Sequence, residues 1–326
     1  MSVLKCAVIG VGYLGRFHAQ KYSLLPNADL IAVCDVNQAI CDEVANELAV
    51  PAYYNYPDLF GKVQAVSIAA TTNQHYEIAK NCIENGLHVL IEKPITETVE
   101  QADQLIALAK KHHIKLQVGH LERFNSARLA LEPYLDNPLF IESQRVAPFN
   151  PRGTDVDVIL DLMIHDIDII QNIVKSPITH IEAYGMPVLT ALIDVANARL
   201  TFANRCVANV TASRVSSKTE RKMRIFQKNS YLSLDYHEKK IALFKKTAPD
   251  AFPEVTNMVK EELVFPSQDA LLEEIKAFIE SIVRNTKPLV SGLAGRNALS
   301  TASRITSLIQ ANLELSHATL VDYDTV

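Results

Sequence analysis

Residues 10–15 read Gly-Val-Gly-Tyr-Leu-Gly, with the apolar run Val3–Ile9 before them and an amphipathic stretch, Tyr13–Leu25, after them. A glycine loop between a strand and a helix commits a chain to a βα unit on a parallel sheet. The spacing gives each glycine a task. Gly10 makes the tight turn, Gly12 lets a pyrophosphate reach the backbone, and Gly15 lets helix and strand pack closely. Tyr13 and Leu14 open the helix, whose N–H groups and positive dipole end favour an anion. Asp35 ends the next apolar run, Leu30–Asp35, twenty residues after Gly15. A carboxylate there accepts from ribose hydroxyls and repels a 2′-phosphate. Val36, Asn37 and Gln38 offer no Arg to offset that repulsion. The cofactor expected here is NAD rather than NADP.

The same rhythm continues. Strands are expected at Ala65–Ala69, His88–Ile91 and Lys115–Val118, with helices at Gln38–Leu48, Gln74–Asn85 and Val99–His113. Strands alternating with helices of this length predict a doubly wound parallel sheet. The pattern changes near Leu121. A helix over Ser126–Leu135 leads to a strand, Phe140–Ala147, and an apolar helix follows over Asp155–Val174. From Ile178 to Phe265 short alternating strands dominate, and two helices, Asp269–Arg284 and Leu293–Leu313, follow. The expected class is α/β: a Rossmann domain over residues 1–122, then an α+β domain over 123–326 with a large, mostly antiparallel open sheet. One face of that sheet should be covered by helices, and the other needs a partner subunit or tolerates water.

Bulk properties exclude several classes. Thirty-two basic against 37 acidic residues give a net charge of -5, with no drive toward nucleic acid or an anionic membrane. No stretch nears the ~18 apolar residues of a membrane span, and the N-terminal run reads as a first strand, not a signal peptide. Five cysteines without a CxxC pair suggest reduced, buried thiols in the cytoplasm, with neither disulfides nor a metal site expected.

Glu92-Lys93-Pro94 follows the strand His88–Ile91. Ligands of a doubly wound sheet bind at the carboxyl ends of its strands, so Lys93 should point at the crevice. Further on, Asp161 and His165 are i and i+4 on the apolar helix and share a face. Asp168 continues that face, and buried charge there is costly unless paired.

Together these segments resemble the Gfo/Idh/MocA oxidoreductase family. The resemblance rests on Gly10–Gly15, Ala70-Thr71-Thr72-Asn73-Gln74-His75, Glu92-Lys93-Pro94, Val118-Gly119-His120 with Arg123-Phe124-Asn125, and Asp161-Leu162-Met163-Ile164-His165. It implies that Lys93 and His165 flank the reacting hydroxyl with Asp161 beside them. It also implies a cis Lys93–Pro94 bond, and Thr71, Asn73, His75, Glu92 and Lys93 as cofactor contacts besides the glycine loop. The implied activity is NAD-dependent oxidation of a secondary hydroxyl. An imidazole suits the base role near neutrality, and a cationic Lys93 lowers the cost of a developing alkoxide. Which of the two takes the proton is open from the residues alone.

The segment from Gln144 to Asp168 resembles the branch of the family that oxidises the 3-hydroxyl of UDP-N-acetylglucosamine ahead of transamination, in making amide-linked lipid A. Many family members carry a glycine where Met163 stands. Arg123, Arg145 and Arg152 lie in segments next to the proposed site, and a guanidinium fork suits a diphosphate. Arg123 and Arg152 are the expected substrate contacts along with His165. The basic run Arg214–Arg224 reads as a solvated face. The alternatives are a dehydrogenase of a free sugar, amino sugar or inositol-type polyol, an enzyme that returns its hydride to its own product, and a non-catalytic NAD(H) sensor. A homodimer or homotetramer through the open sheet is expected.

Overall fold

The structure is a computed structural model that describes residues 3–151, 156–246, 258–266 and 268–323. The chain divides into two compact units, Met1–Phe124 with Gln268–Leu299, and Asn125–Ser267 with Ser300–Val326.

The first unit alternates β1 (Leu4–Ile9), α1 (Tyr13–Tyr22), β2 (Ala28–Cys34), α2 (Gln38–Leu48), β3 (Ala52–Tyr53), β4 (Ala65–Ile68), α3 (Thr72–Glu84), β5 (His88–Glu92), α4 (Val99–Lys111) and β6 (Leu116–Gly119). The strands form one parallel sheet in the order β3-β2-β1-β4-β5-β6. Its inner strands are covered on both faces, which is why they read as unbroken apolar runs: Val66, Ile68, Val89, Leu90 and Ile91 are fully buried. The strand order reverses between β1 and β4, and such a switch point opens a crevice at the carboxyl ends. Local chemistry sets the helix starts. Asn37 accepts from the Ile40 N–H to cap α2, and Thr98 and Gln101 form a reciprocal capping box on α4.

A later helix, α7 (Ala270–Val283), also belongs to this unit. Its apolar stripe of Leu271, Ile275, Phe278 and Ile279 joins the core around Val8, Ala19, Tyr22 and Cys41, and Lys21 pairs with Asp269 at its start, 2.7 Å apart. The expected division after residue 122 falls within two residues of where the chain leaves this unit, and segment 268–299 is what returns.

The second unit holds α5 (Ser126–Ala130), β7 (Phe140–Val146), α6 (Ile164–Val174), β8 (Ile178–Met186), β9 (Val195–Phe202), β10 (Val207–Ser213), β11 (Glu220–Gln227), β12 (Ser230–Asp235), β13 (Lys240–Lys246) and β14 (Met258–Val264). A last helix, α8 (Gly292–Tyr323), begins in the first unit and continues in this one. The sheet order is β14-β13-β12-β11-β7-β10-β9-β8. Every pairing is antiparallel except β7 with β10, which run parallel. One face is apolar: Ala196, Ala198, Leu200 and Phe202 of β9 are buried while Asn197 and Arg199 between them are exposed. This is the expected fold class, a Rossmann sheet with a large, mostly antiparallel open sheet.

Three elements differ from the sequence expectation. The helix from Ser126 stops at Ala130, because Pro133 disfavours the α conformation before it, and a 3-10 turn over Glu132–Tyr134 follows. The apolar helix begins with a π turn, Ile159–Met163, before α6. Strand β3 has two residues and pairs only with the edge of β2, too short for an alternation signal.

The loop before β9 hangs on one carboxylate. Asp194 is fully buried and accepts the N–H groups of Val188, Leu189 and Thr190 at 2.7–2.8 Å. Burial pushes its carboxyl up, but the bonds from Thr190, Val188 and Leu189 outweigh that and hold it down to about 2. A depressed folded value contributes stability above the ordinary carboxyl value of 3.8, lost as the pH falls toward about 2. The contribution is about 2 kcal/mol. Asp194→Asn should lower the stability of the second unit by about 3 kcal/mol at neutral pH, since the amide faces donors with a donor. Urea unfolding should also reveal that the variant lacks the acid-labile component of the parent.

Candidate functional site

The first unit has a crevice where β1 and β4 part. Gly10 has φ +82°, a left-handed value that L side chains rarely adopt, and a Cβ there would meet the Ala70 nitrogen at 2.7 Å. A Cβ on Gly15 would lie 1.7 Å from the Gly10 carbonyl oxygen, so only glycine lets α1 sit this close to the turn. Around Gly12 there is open space, with nothing within 4 Å of a would-be Cβ. Gly12 caps α1 without a side-chain hydrogen bond, which leaves first-turn N–H groups for an incoming anion. These are the features a dinucleotide pyrophosphate requires, and the residues fit NAD.

Asp35 stands at the rim. Its Oδ2 accepts the Val11 N–H at 2.8 Å and its Oδ1 the Asn37 N–H at 2.9 Å. The carboxylate is thus fixed between the glycine loop and the start of α2. The crevice has a volume of about 450 Å³, and Gly10, Gly12, Asp35 and Thr71 all line it. Tyr54 and Tyr56 also line it and escaped the sequence reading. Their rings are held by Tyr54 donating to Asp42 (2.7 Å) and by Asn81 donating to the Tyr56 oxygen (2.8 Å). No motif marks them, because they follow the two-residue strand β3.

The remaining expected contacts lie off this lining. Tyr13 and Leu14 are exposed at the start of α1. Asn73 accepts from the Thr71 hydroxyl at 2.6 Å in the first turn of α3. His75 is buried, with Nδ1 at 2.9 Å from the Pro94 carbonyl and Nε2 at 3.0 Å from that of Ala70. Both ring nitrogens face backbone carbonyls, of which a neutral imidazole donates to one, so His75 lies between two loops and holds one of them. Burial lowers its pKa, against smaller upward contributions from the two carbonyls. Glu92 and Lys93 close β5, and the Lys93–Pro94 bond is cis.

Asp161 lies in the π turn and His165 in the first turn of α6, both half-buried. The π turn breaks the regular α repeat at Asp161, so the i and i+4 relation does not carry through it unchanged. Short π segments of this kind concentrate at functional sites. The start of the helix is tied down: the Ile193 N–H donates to Asp157 Oδ1 at 3.0 Å, the Val158 N–H to the Ile193 oxygen at 2.9 Å, and Arg214 to the Val156 oxygen.

Arg145 is not free for a diphosphate, contrary to the sequence expectation. Its Nε and Nη2 reach Asp166 at 2.7 and 3.2 Å, and it lies over the Tyr236 ring, fully inside the unit. Arg123 is buried in the 3-10 turn Leu121–Phe124 of the first unit. Arg152 lies outside the described residues. In the basic run, Arg214 is buried beside Asp194, while Lys218 and Arg224 are exposed and paired with Glu220 and Glu142.

Residues 4–120 match the oxidoreductase family with an NAD-binding Rossmann fold, Gfo/Idh/MocA, and residues 140–232 match a C-terminal domain of the same family. The chain belongs to the Gfo/Idh/MocA oxidoreductases. It is 36% identical over 315 residues to UDP-N-acetylglucosamine 3-dehydrogenase of Acidithiobacillus ferrooxidans, covering 96% of this chain and 100% of that one. The solved structure of that enzyme superposes with a TM-score of 0.89 over 95% of this chain and 99% of the other. Myo-inositol 2-dehydrogenase of Thermotoga maritima is 25% identical, over 91% of this chain and 93% of its own. The fold is shared with scyllo-inositol dehydrogenase of Lactobacillus casei, solved with NAD(H) and scyllo-inositol, at 22% identity and a TM-score of 0.79 over 95% of this chain and 97% of that one. This member of the family is an NAD-dependent dehydrogenase.

The Asp35 carboxylate is held at the rim of the crevice. Val36 beside it is 89% exposed. Replacing Asp35 by Ser and Val36 by Arg should exchange repulsion of a 2′-phosphate for attraction. The ratio of kcat/KM for NADP⁺ over NAD⁺ should rise by an order of magnitude or more, about 1.4 kcal/mol or above.

Proposed function

We propose that this protein oxidises the 3-hydroxyl of UDP-N-acetylglucosamine to a ketone. The end-to-end similarity to the Acidithiobacillus enzyme carries the choice of substrate. In the proposed reaction Lys93 and His165 act on the sugar hydroxyl. Bound NAD⁺ supplies the hydride acceptor. One of the two side chains takes the hydroxyl proton while the other stabilises negative charge on the oxygen. Asp161 orients the imidazole. Arg123 and Arg152 are the proposed diphosphate contacts. Thr71 and Asn73 serve the cofactor from the first turn of α3, and His75 and Glu92 serve it through the loops they brace.

The product ketone feeds a transamination, and the place we assign to the enzyme is lipid A synthesis in the cytoplasm. The five cysteines, all free and buried, fit a reducing compartment. Among the described residues no helix is long and apolar enough to cross a membrane.

A homo-oligomer through the open sheet is part of the same reading. Phe140, Phe226, Tyr231 and Phe244 stack across four strands on its outer face, with ring centroids 5.7, 5.4 and 4.1 Å apart. These rings are half-buried in one copy, and a second copy would cover them. Beside them a polar groove of about 320 Å³ is lined by Glu142, Asn197, Asn209, Lys222 and Arg224. Tyr231→Asp with Phe244→Asp should shift the sedimentation coefficient to that of a monomer.

The substrate test is NADH absorbance with purified protein, NAD⁺ and UDP-N-acetylglucosamine, with an aminotransferase and glutamate to remove the ketone. Absorbance should rise, and Lys93→Ala and His165→Ala should each lower kcat by 10²-fold or more. Turnover of myo-inositol or a free amino sugar in place of the nucleotide sugar would overturn the substrate. Unchanged NAD⁺ binding in the variants separates a lost chemical step from a lost cofactor.

A further inference from the structure

Beside Lys93, off the lining of the cofactor crevice, three titratable side chains of the first unit converge. They are His18 on α1, Glu92 at the end of β5 and Glu274 on α7. One polar atom of each lies within 4.8 Å of those of the other two. His18 and Glu274 are fully buried, and the Glu92 side chain is 12% exposed. His18 Nε2 stands 2.8 Å from Glu92 Oε1, and the Lys93 backbone N–H donates to Glu92 Oε2 at 3.3 Å. Gly119 leaves the space for this carboxylate, since a Cβ there would lie 2.8 Å from its Cδ and both oxygens. On the far side of Lys93, His75 holds the Pro94 carbonyl. Lys93 is therefore bracketed in sequence by two residues, each fixed by a buried imidazole.

Glu274 is the anomaly. Neither of its oxygens has a hydrogen-bond partner. Two carboxylates facing one imidazole in a dry interior do not both stay ionised. Glu92 has the imidazole and the Lys93 N–H to favour its charge, and Glu274 has neither. Burial, with the nearby charge of Glu92 adding to it, pushes the Glu274 carboxyl well above the usual range. A divalent cation is the other way to balance two carboxylates. Against that, 2.8 Å between His18 and Glu92 is hydrogen-bond length, whereas neighbouring ligands on a tetrahedral zinc stand about 3.3 Å apart.

We propose that His18, acting through Glu92, and His75, acting through Pro94, are positioning residues for Lys93, and that Glu274 is a neutral carboxylic acid that leaves Glu92 the one charged carboxylate of the cluster. The first clause rests on the role of Lys93 in the proposed reaction, and the second does not.

The test uses the full chain with NAD⁺ and the nucleotide sugar. His18→Leu should lower kcat by about 10²-fold, the scale of a misplaced reacting group, while KM for NAD⁺ moves by less than about threefold. His18→Gln places an amide N–H toward Glu92 and should recover most of the loss. His18→Asn serves if the leucine variant does not fold. Above neutral pH the parent should show the infrared C=O stretch of a protonated carboxylic acid. Glu274→Gln, the same shape without the proton, should remove that band and keep the melting temperature. The positioning role is overturned if His18→Leu keeps the parental kcat while Lys93→Ala is inactive. The neutral acid is overturned by absence of the band, or by stoichiometric metal in the purified protein that Glu274→Gln removes. Full turnover by Lys93→Ala would instead sink the reaction assigned to Lys93 and the positioning built on it, with the infrared and thermal readouts still deciding Glu274.

Discussion

The approach of α1 to the turn at Gly10 governs the first unit. Helix and turn come so close that the hydrogen of Gly15 stands where any side chain would strike the Gly10 carbonyl oxygen. That approach aims the helix N-terminus into the gap between β1 and β4, where the strand order reverses. It brings the Val11 N–H within reach of Asp35, so one carboxylate is shared between the glycine loop and the second strand. It also sets His18, farther along the same helix, against Glu92 at the end of β5. The glycine loop, the rim carboxylate of Asp35 and the Lys93 segment are thus linked by the seating of one helix.

Buried charge plays the corresponding part in the second unit. An apolar helix carrying aspartates would find no stable place against an apolar sheet unless those charges were matched. Arg145 of β7 meets Asp166 in a two-pronged pair inside the unit. Asp194, with Arg214 beside it, gathers the loop that holds the start of the helix. Removing one partner from such a pair leaves an uncompensated charge, at about 3–5 kcal/mol. The seating of this helix therefore comes from ionic anchoring at its flank and from the loop that Asp194 gathers as much as from packing.

Much of this was legible because it is local. The glycine loop and the strand–helix alternation depend on neighbours a few residues away. What escaped depends on how elements pack against one another or on geometry that leaves no pattern in the sequence. Arg145 read as a diphosphate ligand because its proximity to the site was visible and its pairing with Asp166 was not. Helix α7 read as part of the second domain because it follows that domain in sequence, whereas its apolar stripe fills the core of the first unit. Tyr54 and Tyr56 follow a strand of two residues, too short to leave a periodic trace. The π turn at Ile159–Met163 has no compositional signature, since one added residue per turn alters geometry and not hydrophobic content.

By itself the sequence determined the fold class, the dinucleotide crevice, the carboxylate at its rim and the family, because each rests on spacing within a βα unit or on motifs in a set order. Tertiary structure alone decided which charged residues serve structure, which unit α7 completes, and that Glu274 comes to lie, buried and unpartnered, beside His18 and Glu92. The physical reason is the range of the forces. Hydrophobic periodicity and backbone conformation are written residue by residue, whereas the charge state and role of a buried side chain depend on groups that folding brings from other elements of the chain.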